Sequence, residues 1–512
     1  MTRKIFFLFV AVLSVAFVFT SCKTSANEPD NVTEEPTFED QVLIAKGNCS
    51  GLRSHVEWVL YSDDNIYAEG TLYIYGEGRM CDFSSNHTTW TKYEAQRFKI
   101  TKVIIGEGIT LIGNFAFSSL ENIKEVVLPN SLESIGLSAF LGCLSLSSIT
   151  LPNSLTTIET SAFAGCVSLS SITFPSSLIT IDKSAFHGSG LETLVIPDNI
   201  QSIGSQAFAY CKNLTSVEIG NSIKKIENST FDNCENLSSV ILGNSVTSID
   251  SRAFEYCSKL EHITIPSSLM EIGWGAFNAC IVSNKSINYR GSIEDWCSKS
   301  RLIIMPLLSN GYNLQFNSVE ANSISLPIGM TALPDSSFIM CKNLVSITLP
   351  NTVTCIGKCS FFDCSNLMNI TIPNSVSYIG ENAFNGCASL TSITLPESIT
   401  SIENCTFLRC TNITNITIPN TVISIGTWAF FECTSLTSIT LPSSVSFIDS
   451  AVFQNCSSLK SIICLAATPP DAIYAFNGFN ASSDFTIYVP AESVVEYKNA
   501  NPWKYYNILP IQ

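Results

Sequence analysis

The stretch Leu436-Thr-Ser-Ile-Thr-Leu-Pro-Ser-Ser-Val-Ser-Phe-Ile-Asp-Ser-Ala-Val-Phe453 repeats, with few changes, the upstream stretch Leu146-Ser-Ser-Ile-Thr-Leu-Pro-Asn-Ser-Leu-Thr-Thr-Ile-Glu-Thr-Ser-Ala-Phe163. The phenylalanine that ends each unit recurs every 23 residues, with a single step of 22 between Phe186 and Phe208 and one wide gap after Phe277. A fixed period of this length is typical of a solenoid, in which each unit forms one coil. The anchor phenylalanines are Phe117, Phe140, Phe163, Phe186, Phe208, Phe231, Phe254, Phe277, Phe338, Phe361, Phe384, Phe407, Phe430, Phe453 and Phe476.

Each unit contains two short segments in which polar and apolar residues alternate. Ser-Ile-Thr-Leu-Pro places its apolar residues on one face of a strand, and the proline then ends the strand because it cannot donate a ladder hydrogen bond. The segment Val/Leu-x-x-Ile repeats the alternation, and Ala-Phe-x-x-Cys closes the coil with a tight turn or one helical turn. A single unit has too few inward residues to fold alone, so about fifteen coils are expected to stack.

The consensus L-x-S-I-x-L-P-x-S-[VL]-x-x-I-x-x-x-A-F-x-x-C resembles the BspA-like leucine-rich-repeat family of bacterial cell-surface lipoproteins, and the likeness covers residues 100 to 490. The resemblance implies a leucine-rich-repeat solenoid of β-rich parallel coils with short helical or 3-10 turns. It also implies adhesion to host matrix proteins, to cells or to other bacteria. A fold alone does not establish a function, so this role is an expectation.

The regions outside the period predict the domain organisation. Residues 41–99 form an N-terminal β cap, because Val56-Glu-Trp-Val-Leu-Tyr61 and Gly70-Thr-Leu-Tyr-Ile-Tyr75 alternate like the strands of a hairpin, and the first coil needs a cover for its open edge. The repeats fill a first array at 100–283 and a second at 323–483. Residues 484–512 form a C-terminal cap, with a strand at Phe485–Pro490 and a short helix after it.

An irregular insert is predicted at residues 284–322, where the anchor spacing widens from 23 residues to 61. Its segment Tyr289-Arg-Gly-Ser-Ile-Glu-Asp-Trp296 resembles an interruption motif of the same family. Two interpretations remain open at this point. The insert is either a packed spacer that bends the array or a dedicated binding loop.

The N-terminus predicts export and lipid anchoring. Arg3 and Lys4 precede the apolar run Ile5–Phe19, which is too short to span a bilayer, and Thr20-Ser21 stand directly before Cys22. This pattern resembles a bacterial lipobox, which implies a signal peptide at 1–21 and a lipid on Cys22. Residues 22–40 are rich in acidic residues and read as a flexible tether. An outer-membrane lipoprotein at the cell surface is the resulting expectation.

Composition argues against two function classes. The formal net charge of −16, with a pI of about 4.7, would repel a phosphate backbone, so no nucleic-acid partner is expected. There are four histidines, and neither a Gly-x-Ser-x-Gly elbow nor a phosphate loop occurs. We therefore expect no enzyme activity, no catalytic residues and no cofactor.

Twenty cysteines would normally suggest disulfides in an exported chain. Twelve of them lie three residues after an anchor phenylalanine, where stacked side chains point in parallel and cannot easily adopt the disulfide torsion. Buried free thiols are expected there, and Cys49 with Cys81 in the cap is the candidate disulfide. No histidine accompanies the clusters at Cys355–Cys364 and Cys405–Cys410, so no metal site is expected.

The outward face of the main strands is the candidate binding surface. Its residues form a weakly charged row that includes Thr150, Thr173, Thr348, Thr371, Thr394, Thr417 and Thr440. Such a row either keeps an exposed strand soluble or hydrogen-bonds an extended protein or a glycan. Trp274 and Trp428 stand just before the Ala-Phe turn and could stack on a sugar ring or a peptide. An extracellular protein ligand is the first hypothesis, and glycan capture for nutrient uptake is the alternative.

Overall fold

The computed structural model describes residues 41–63, 69–84, 90, 99–283, 285–299, 311–480 and 482–511. The predicted signal peptide at 1–21, Cys22 and the tether to residue 40 lie outside the described residues, as do residues 300–310 of the predicted insert. The chain winds into a β-solenoid of about 17 parallel turns of about 23 residues, with very little helix. The repeat solenoid predicted from the period is therefore confirmed.

The Ser-Ile-Thr-Leu-Pro segments supply one row of short parallel strands, which we call the first row. Its central isoleucine is buried between two exposed polar residues, as in Ser392-Ile393-Thr394. Neighbouring coils pair in register one period apart, for example Ser346 with Asn369. The strands of the first row are Lys99–Ile105, Glu125–Val127, Thr193–Ile196, Ser216–Ile219, Ser239–Ile241, His262–Pro266, Ser286–Arg290, Asn313–Phe316, Ser323–Ser325, Ser346–Thr348, Asn369–Thr371, Ser392–Thr394, Asn415–Thr417, Ser438–Leu441, Ser461–Cys464, Thr486–Val489 and Asn507–Pro510.

The Val/Leu-x-x-Ile segments supply a second row on another side of each coil. Its strands are mostly two residues long, with one partly exposed polar residue and one buried apolar residue, as in Thr157–Ile158. Turns and irregular backbone connect the two rows, so each coil closes around one apolar interior. The strands of the second row are Ile109–Ile112, Ser134–Ile135, Thr157–Ile158, Thr180–Ile181, Ser202–Ile203, Lys225–Ile226, Ser248–Ile249, Glu271–Ile272, Ala332–Leu333, Cys355–Ile356, Tyr378–Ile379, Ser401–Ile402, Ser424–Ile425 and Phe447–Ile448.

The anchor phenylalanines form a stack of rings inside the solenoid. Successive rings within each array lie with centroids 5.2–6.1 Å apart and are stacked, except that the last ring, Phe476, is tilted by 31° to Phe453. The short step from Phe186 to Phe208 is absorbed without a break, since these rings are 5.4 Å apart at an angle of 3°. Trp90 stacks on Phe117 at the N-terminal end, and Trp503 meets Phe476 edge-on at the other. The stack is the core that the 23-residue period predicts.

A ladder of thiols runs beside the rings. Within each array, a ladder cysteine donates a hydrogen bond from Sγ to the carbonyl oxygen of the anchor phenylalanine one coil earlier, as Cys387 does to Phe361 at 3.2 Å. Cys341 is the exception, because it belongs to the first coil after the insert. Burial raises the pKa of Cys410 to about 12 and that of Cys211 to about 11. The described cysteines are all free thiols. A small, buried cysteine side chain that donates to a backbone carbonyl oxygen is stable as a free thiol. This explains why cysteine recurs at this position in successive coils.

The N-terminal cap contains three antiparallel strands, β1 (Val42–Asn48), β2 (His55–Ser62) and β3 (Glu69–Arg79). The hairpin suggested by the sequence corresponds to β2 and β3, and β1 is an additional strand. β3 also pairs in parallel with Lys99–Ile105 and with Ile109–Ile112, so it begins both rows. The cap thus covers the strand edges and the apolar interior of the first coil.

Residues 284–322 are not irregular where they are described. Ser286–Arg290 and Asn313–Phe316 are two further parallel strands of the first row, and Val319–Glu320 folds back antiparallel to the second of them. The reason is that Ser-Ile-Asn-Tyr-Arg retains the inward and outward alternation of a repeat strand although the consensus is lost. Helix α1 (Ile293–Ser298) follows the first of these strands.

Helix α1 connects the two arrays. The buried Trp296 lies 5.1 Å from Tyr289 and 5.8 Å from Phe316 between ring centroids. Its Nε1 donates a hydrogen bond of 2.9 Å to the carbonyl oxygen of Ser337 in the second array. These contacts favour the packed spacer over a free binding loop for this part of the insert.

The C-terminal cap continues the first row and then covers it. After Thr486–Val489 come a 3-10 turn at Ala491–Ser493, helix α2 (Val494–Asn499), a second 3-10 turn at Trp503–Tyr505 and the strand Asn507–Pro510. Tyr497 and Trp503 are fully buried, and their polar atoms donate to the carbonyl oxygens of Ala466 and Pro470. The last strand was not expected from the sequence.

Candidate binding surfaces

The outward residues of the first row form a polar strip along the second array, in two hydrogen-bonded ladders that are separated between Thr371 and Ser392. Thr348 pairs with Thr371, and Thr417 pairs with both Thr394 and Thr440, so the threonines are stacked in register. All five side chains are exposed. Because neighbouring parallel strands lie about 4.8 Å apart, the strip offers one hydroxyl per strand spacing to an extended ligand.

Two threonines of the predicted row lie outside any strand. Thr150 and Thr173 are exposed, but the backbone around them is not assigned as strand, so the first row is interrupted between Val127 and Thr193. The prediction of first-row strands at Thr150 and Thr173 is therefore wrong. The residue types match those of coils that do form strands, and the backbone hydrogen bond from Ser170 N to Ser147 O is present but long, at 3.4 Å.

The row changes character in three consecutive coils of the first array. Val195, Glu218 and Ile241 replace the threonine and are register partners, with Val195 60% exposed. They line a cavity of about 360 Å³ together with Asp198, Asn221, Asn244, Arg290 and the adjoining strand ends. We call this cavity the Glu218 notch. The threonine row in the sequence does not predict this cavity.

Glycines explain why a depression forms at this point. Gly220 and Gly243 occupy the position at which most coils carry the strand-ending proline. A Cβ on Gly243 would lie 2.2 Å from the carbonyl oxygen of Gly220, and one on Gly220 would lie 2.7 Å from that of Ile196. The coil backbones therefore approach closely only because side chains are missing. A glycine in place of the proline was the available sequence signal.

The two candidate tryptophans lie in the turns before the anchor phenylalanines and not on the first row. Trp274 is 72% exposed, with the guanidinium of Arg252 at 5.7 Å from its ring. Trp428 is 45% exposed and has a φ of 56°, a left-handed conformation that is costly for a bulky residue. The structure therefore does not join the tryptophans and the threonine row into one site.

One serine and one histidine are hydrogen-bonded across neighbouring strands. Nδ1 of His262 is 2.8 Å from Oγ of Ser286, and its Nε2 is 3.9 Å from a carboxylate oxygen of Glu261. A nucleophilic serine also needs amide donors for the oxyanion, whereas the amide of Ser286 already donates to Glu261 O at 2.7 Å. Ser286 itself is only 8% exposed. We interpret the contact as a cross-strand pair that ties adjacent coils together.

The candidate disulfide residues face each other in the cap but are not bonded. The amide of Cys81 donates to the carbonyl oxygen of Cys49 at 2.7 Å, which places the two residues opposite each other on antiparallel segments. Both are free thiols, and burial raises the pKa of each. Within the described ranges, no group of three or more His, Cys, Asp or Glu residues could hold a metal ion.

Comparison with known proteins identifies relatives of the whole repeat region. The profile described as "BspA type Leucine rich repeat region (6 copies)" matches residues 91–201, 180–300, 311–412 and 377–496, which together are more than half of the chain. None of the curated proteins matches at a significant level. Among helices in the described part of the chain, none is long and apolar enough to cross a membrane.

Several solved structures are similar to this chain at low sequence identity. A leucine-rich repeat protein from Bacteroides ovatus is 22% identical, with 89% of this chain and 98% of that one covered and a TM-score of 0.38. A leucine rich cell surface protein from Faecalibacterium prausnitzii is 20% identical, with 81% and 95% covered and a TM-score of 0.29. The pneumococcal vaccine antigen PcpA is 18% identical, with 89% and 97% covered and a TM-score of 0.34.

Proposed function

Because the chain belongs to the BspA-type leucine-rich repeat family, we propose that it is a lipid-anchored bacterial surface protein that binds macromolecular partners without catalysing a reaction. The first ligand class is an extracellular protein, which would make the chain an adhesin for host matrix proteins, cells or other bacteria. Its partner would lie along the outward face of the first row.

The observation that carries this proposal is the in-register polar strip of the second array. Exposed hydroxyls and amides recur there at every strand, while the isoleucines between them are buried or, at Ile370, partly buried. The strip is long, rigid and weakly charged, so it can hydrogen-bond an extended partner at many points while exposing little apolar surface. Many weak hydrogen bonds of this kind can add up to a useful binding free energy. The entropy cost of ordering the surface on binding is small because the strands already hold it in place.

The test is binding of the purified full-length chain to an array of matrix proteins and polysaccharides at low and physiological salt. The informative variant is Thr394→Arg with Thr417→Arg, because both side chains are exposed and their replacement leaves the core intact. We expect saturable, salt-tolerant binding to a protein and at least a tenfold loss of affinity in this variant, which corresponds to roughly 1.4 kcal/mol.

The matched control places the same charges on the same two coils but beside the second row. Thr400→Arg with Ile423→Arg serves this purpose, since both residues are exposed and directly precede second-row strands. Equal losses in the two double variants would contradict a ligand on the first row. An array without any protein hit would contradict the adhesin proposal itself.

The lipid anchor needs a separate test, because Cys22 lies outside the described residues. Cells that express the wild-type chain should incorporate a labelled fatty acid into it, and the chain should fractionate with the outer membrane. Cys22→Ala should abolish the label and release the chain from the membrane. Unchanged labelling in Cys22→Ala would refute the assignment. Protease treatment of intact cells then decides whether the solenoid faces outward.

Glycan capture for nutrient uptake is the second candidate function, and the two exposed tryptophans favour it. Trp428 keeps a bulky ring in a left-handed backbone position where several other coils carry serine or asparagine. A residue retained at conformational cost is a reason to look for a role. We expect retardation on polysaccharide gels that is reduced by Trp274→Ala or Trp428→Ala. Retardation that survives both changes would exclude these rings as the glycan site.

A further inference from the structure

The Glu218 notch contains two charged groups of opposite sign that have no partner among the described residues. Some cations and anions on neighbouring coils do pair, as Lys212 does with Glu235 at 2.8 Å and Arg409 with Glu432 at 3.0 Å. The carboxylate of Glu218 makes no hydrogen bond or ion pair with any residue in the described ranges. In this part of the chain the guanidinium of Arg290 is likewise unpaired. The notch therefore presents one acceptor and one donor group of full charge to solvent.

Apolar side chains flank the carboxylate on both sides. Val195 and Ile241 are the register partners of Glu218 on the preceding and following strands, so each lies about one strand spacing away. The wall behind them consists of backbone at Gly220 and Gly243. A carboxylate between two aliphatic side chains is complementary to a long side chain with an aliphatic stem and a cationic head.

A ladder of amides completes the rim. The backbone N–H of Asn221 donates to the carboxylate of Asp198 at 2.6 Å, and the backbone N–H of Asn244 donates to the side-chain Oδ1 of Asn221 at 2.9 Å. Asp198 is thereby occupied and fixed. The side-chain amide of Asn244 ends the ladder and has no hydrogen-bond partner among the residues described. It can accept from, or donate to, a group that enters the cavity.

We propose that the Glu218 notch binds an arginine side chain of a protein partner, with Arg290 pairing to an acidic residue a few positions away in the same segment. This inference rests on the proposed protein-binding function and names the chemistry of its anchor. The guanidinium forms a bidentate pair with the carboxylate of Glu218 and donates a further hydrogen bond to the Asn244 amide. Its methylene stem packs against Val195 and Ile241.

A peptide fits the notch better than a sugar for two reasons. The lining contains no aromatic ring, and aromatic stacking on the apolar face of a sugar is the contact that a glycan site would be expected to supply. Opposite charges at Glu218 and Arg290 match a segment that carries both signs, whereas a neutral glycan offers neither. The small cavity of about 360 Å³ also suits one long side chain.

The experiment uses the full-length chain and an array of acetylated nine-residue peptides. Each peptide has a central arginine, an aspartate two to four positions away and uncharged residues elsewhere, and a matched array carries citrulline in place of arginine. Citrulline keeps the shape and removes the charge. We expect a subset of arginine peptides to bind and their citrulline counterparts to bind at least tenfold more weakly. Equal binding of arginine and citrulline peptides overturns the proposal, and so does the absence of binding to any peptide.

Variants of the chain then locate the site. Glu218→Gln should weaken the selected peptides at least tenfold, and Glu218→Arg should switch the preference to peptides with a central glutamate. Glu271→Gln is the control, since this exposed carboxylate lies in the second row, and it should change affinity by less than twofold. Equal affinity of wild type and Glu218→Gln overturns the inference. If the double variant Thr394→Arg with Thr417→Arg still weakens binding to the matrix protein, the proposed protein-binding function is retained and only the arginine site at Glu218 is rejected.

Discussion

Replacement of a ring in the middle of the phenylalanine stack should destabilise the protein strongly. Phe384 is fully buried, and its ring stacks on Phe361 at 5.4 Å and on Phe407 at 5.7 Å. Phe384→Ala removes the transfer free energy of the side chain and leaves a cavity that neighbouring coils cannot fill without breaking their own register. Such changes cost about 3–5 kcal/mol in the free energy of unfolding.

The assay is equilibrium unfolding in urea, followed by far-ultraviolet circular dichroism, with amide hydrogen exchange to locate the loss. Because each coil contacts mainly its neighbours, protection should fall first in the coils around Phe361, Phe384 and Phe407, whereas the N-terminal cap should keep its protection. A uniform loss of protection over the whole chain would show that the arrays do not behave as a nearest-neighbour solenoid.

The matched control is a phenylalanine of the same array that lies outside the stack. Phe447 is 42% exposed at the start of a second-row strand, so Phe447→Ala should cost less than about 1 kcal/mol. The reasoning would be refuted if both variants lost equal stability, or if Phe384→Ala lost less than the control. Phe384→Leu should lie between alanine and wild type, because it restores much of the apolar volume but not the stacked geometry.

Three further predictions follow from the thiols and the insert. Burial raises the pKa of Cys410 from 9.0 to about 12, so the unfolded chain loses this proton first and stability falls as the pH rises from 9 to 12. Cys410→Ala should make this loss smaller by on the order of 1 kcal/mol at pH 10, measured by urea unfolding. An equal loss of stability in both proteins would contradict this prediction. A thiol reagent should modify the partly exposed Cys355 and Cys405 before any ladder cysteine, and rapid ladder labelling in the folded chain would exclude the buried ladder. Trp296→Ala should separate unfolding into two transitions, one for each array, because the contacts of this ring that connect the arrays are lost. A single cooperative transition would show that other contacts couple the two arrays.

The first-row strands and the cysteine ladder show which features can be predicted from the residue pattern within one repeat. The alternation in Ser392-Ile-Thr394 is enough to assign which side chains face inward, and the position of Cys387 after its anchor phenylalanine is enough to place it in a buried ladder. The hydrogen bond from that thiol to a carbonyl one coil earlier could not be predicted, because it depends on the rise and rotation between coils. The same geometry leaves Thr150 and Thr173 outside any strand, although their residue types match those of coils that form strands.

The repeat pattern alone establishes the period, the parallel coils and the need for a cap at each end, because a 23-residue repeat with inward apolar residues can bury them only by stacking. The tertiary structure alone decided three features: the two extra strands and the connecting Trp296 within residues 284–322, the third strand of the N-terminal cap, and the cavity beside Glu218. Each depends on contacts between residues of different coils. Such contacts are fixed by how closely neighbouring backbones approach, as at Gly220 and Gly243, and a residue pattern within one unit does not contain that distance.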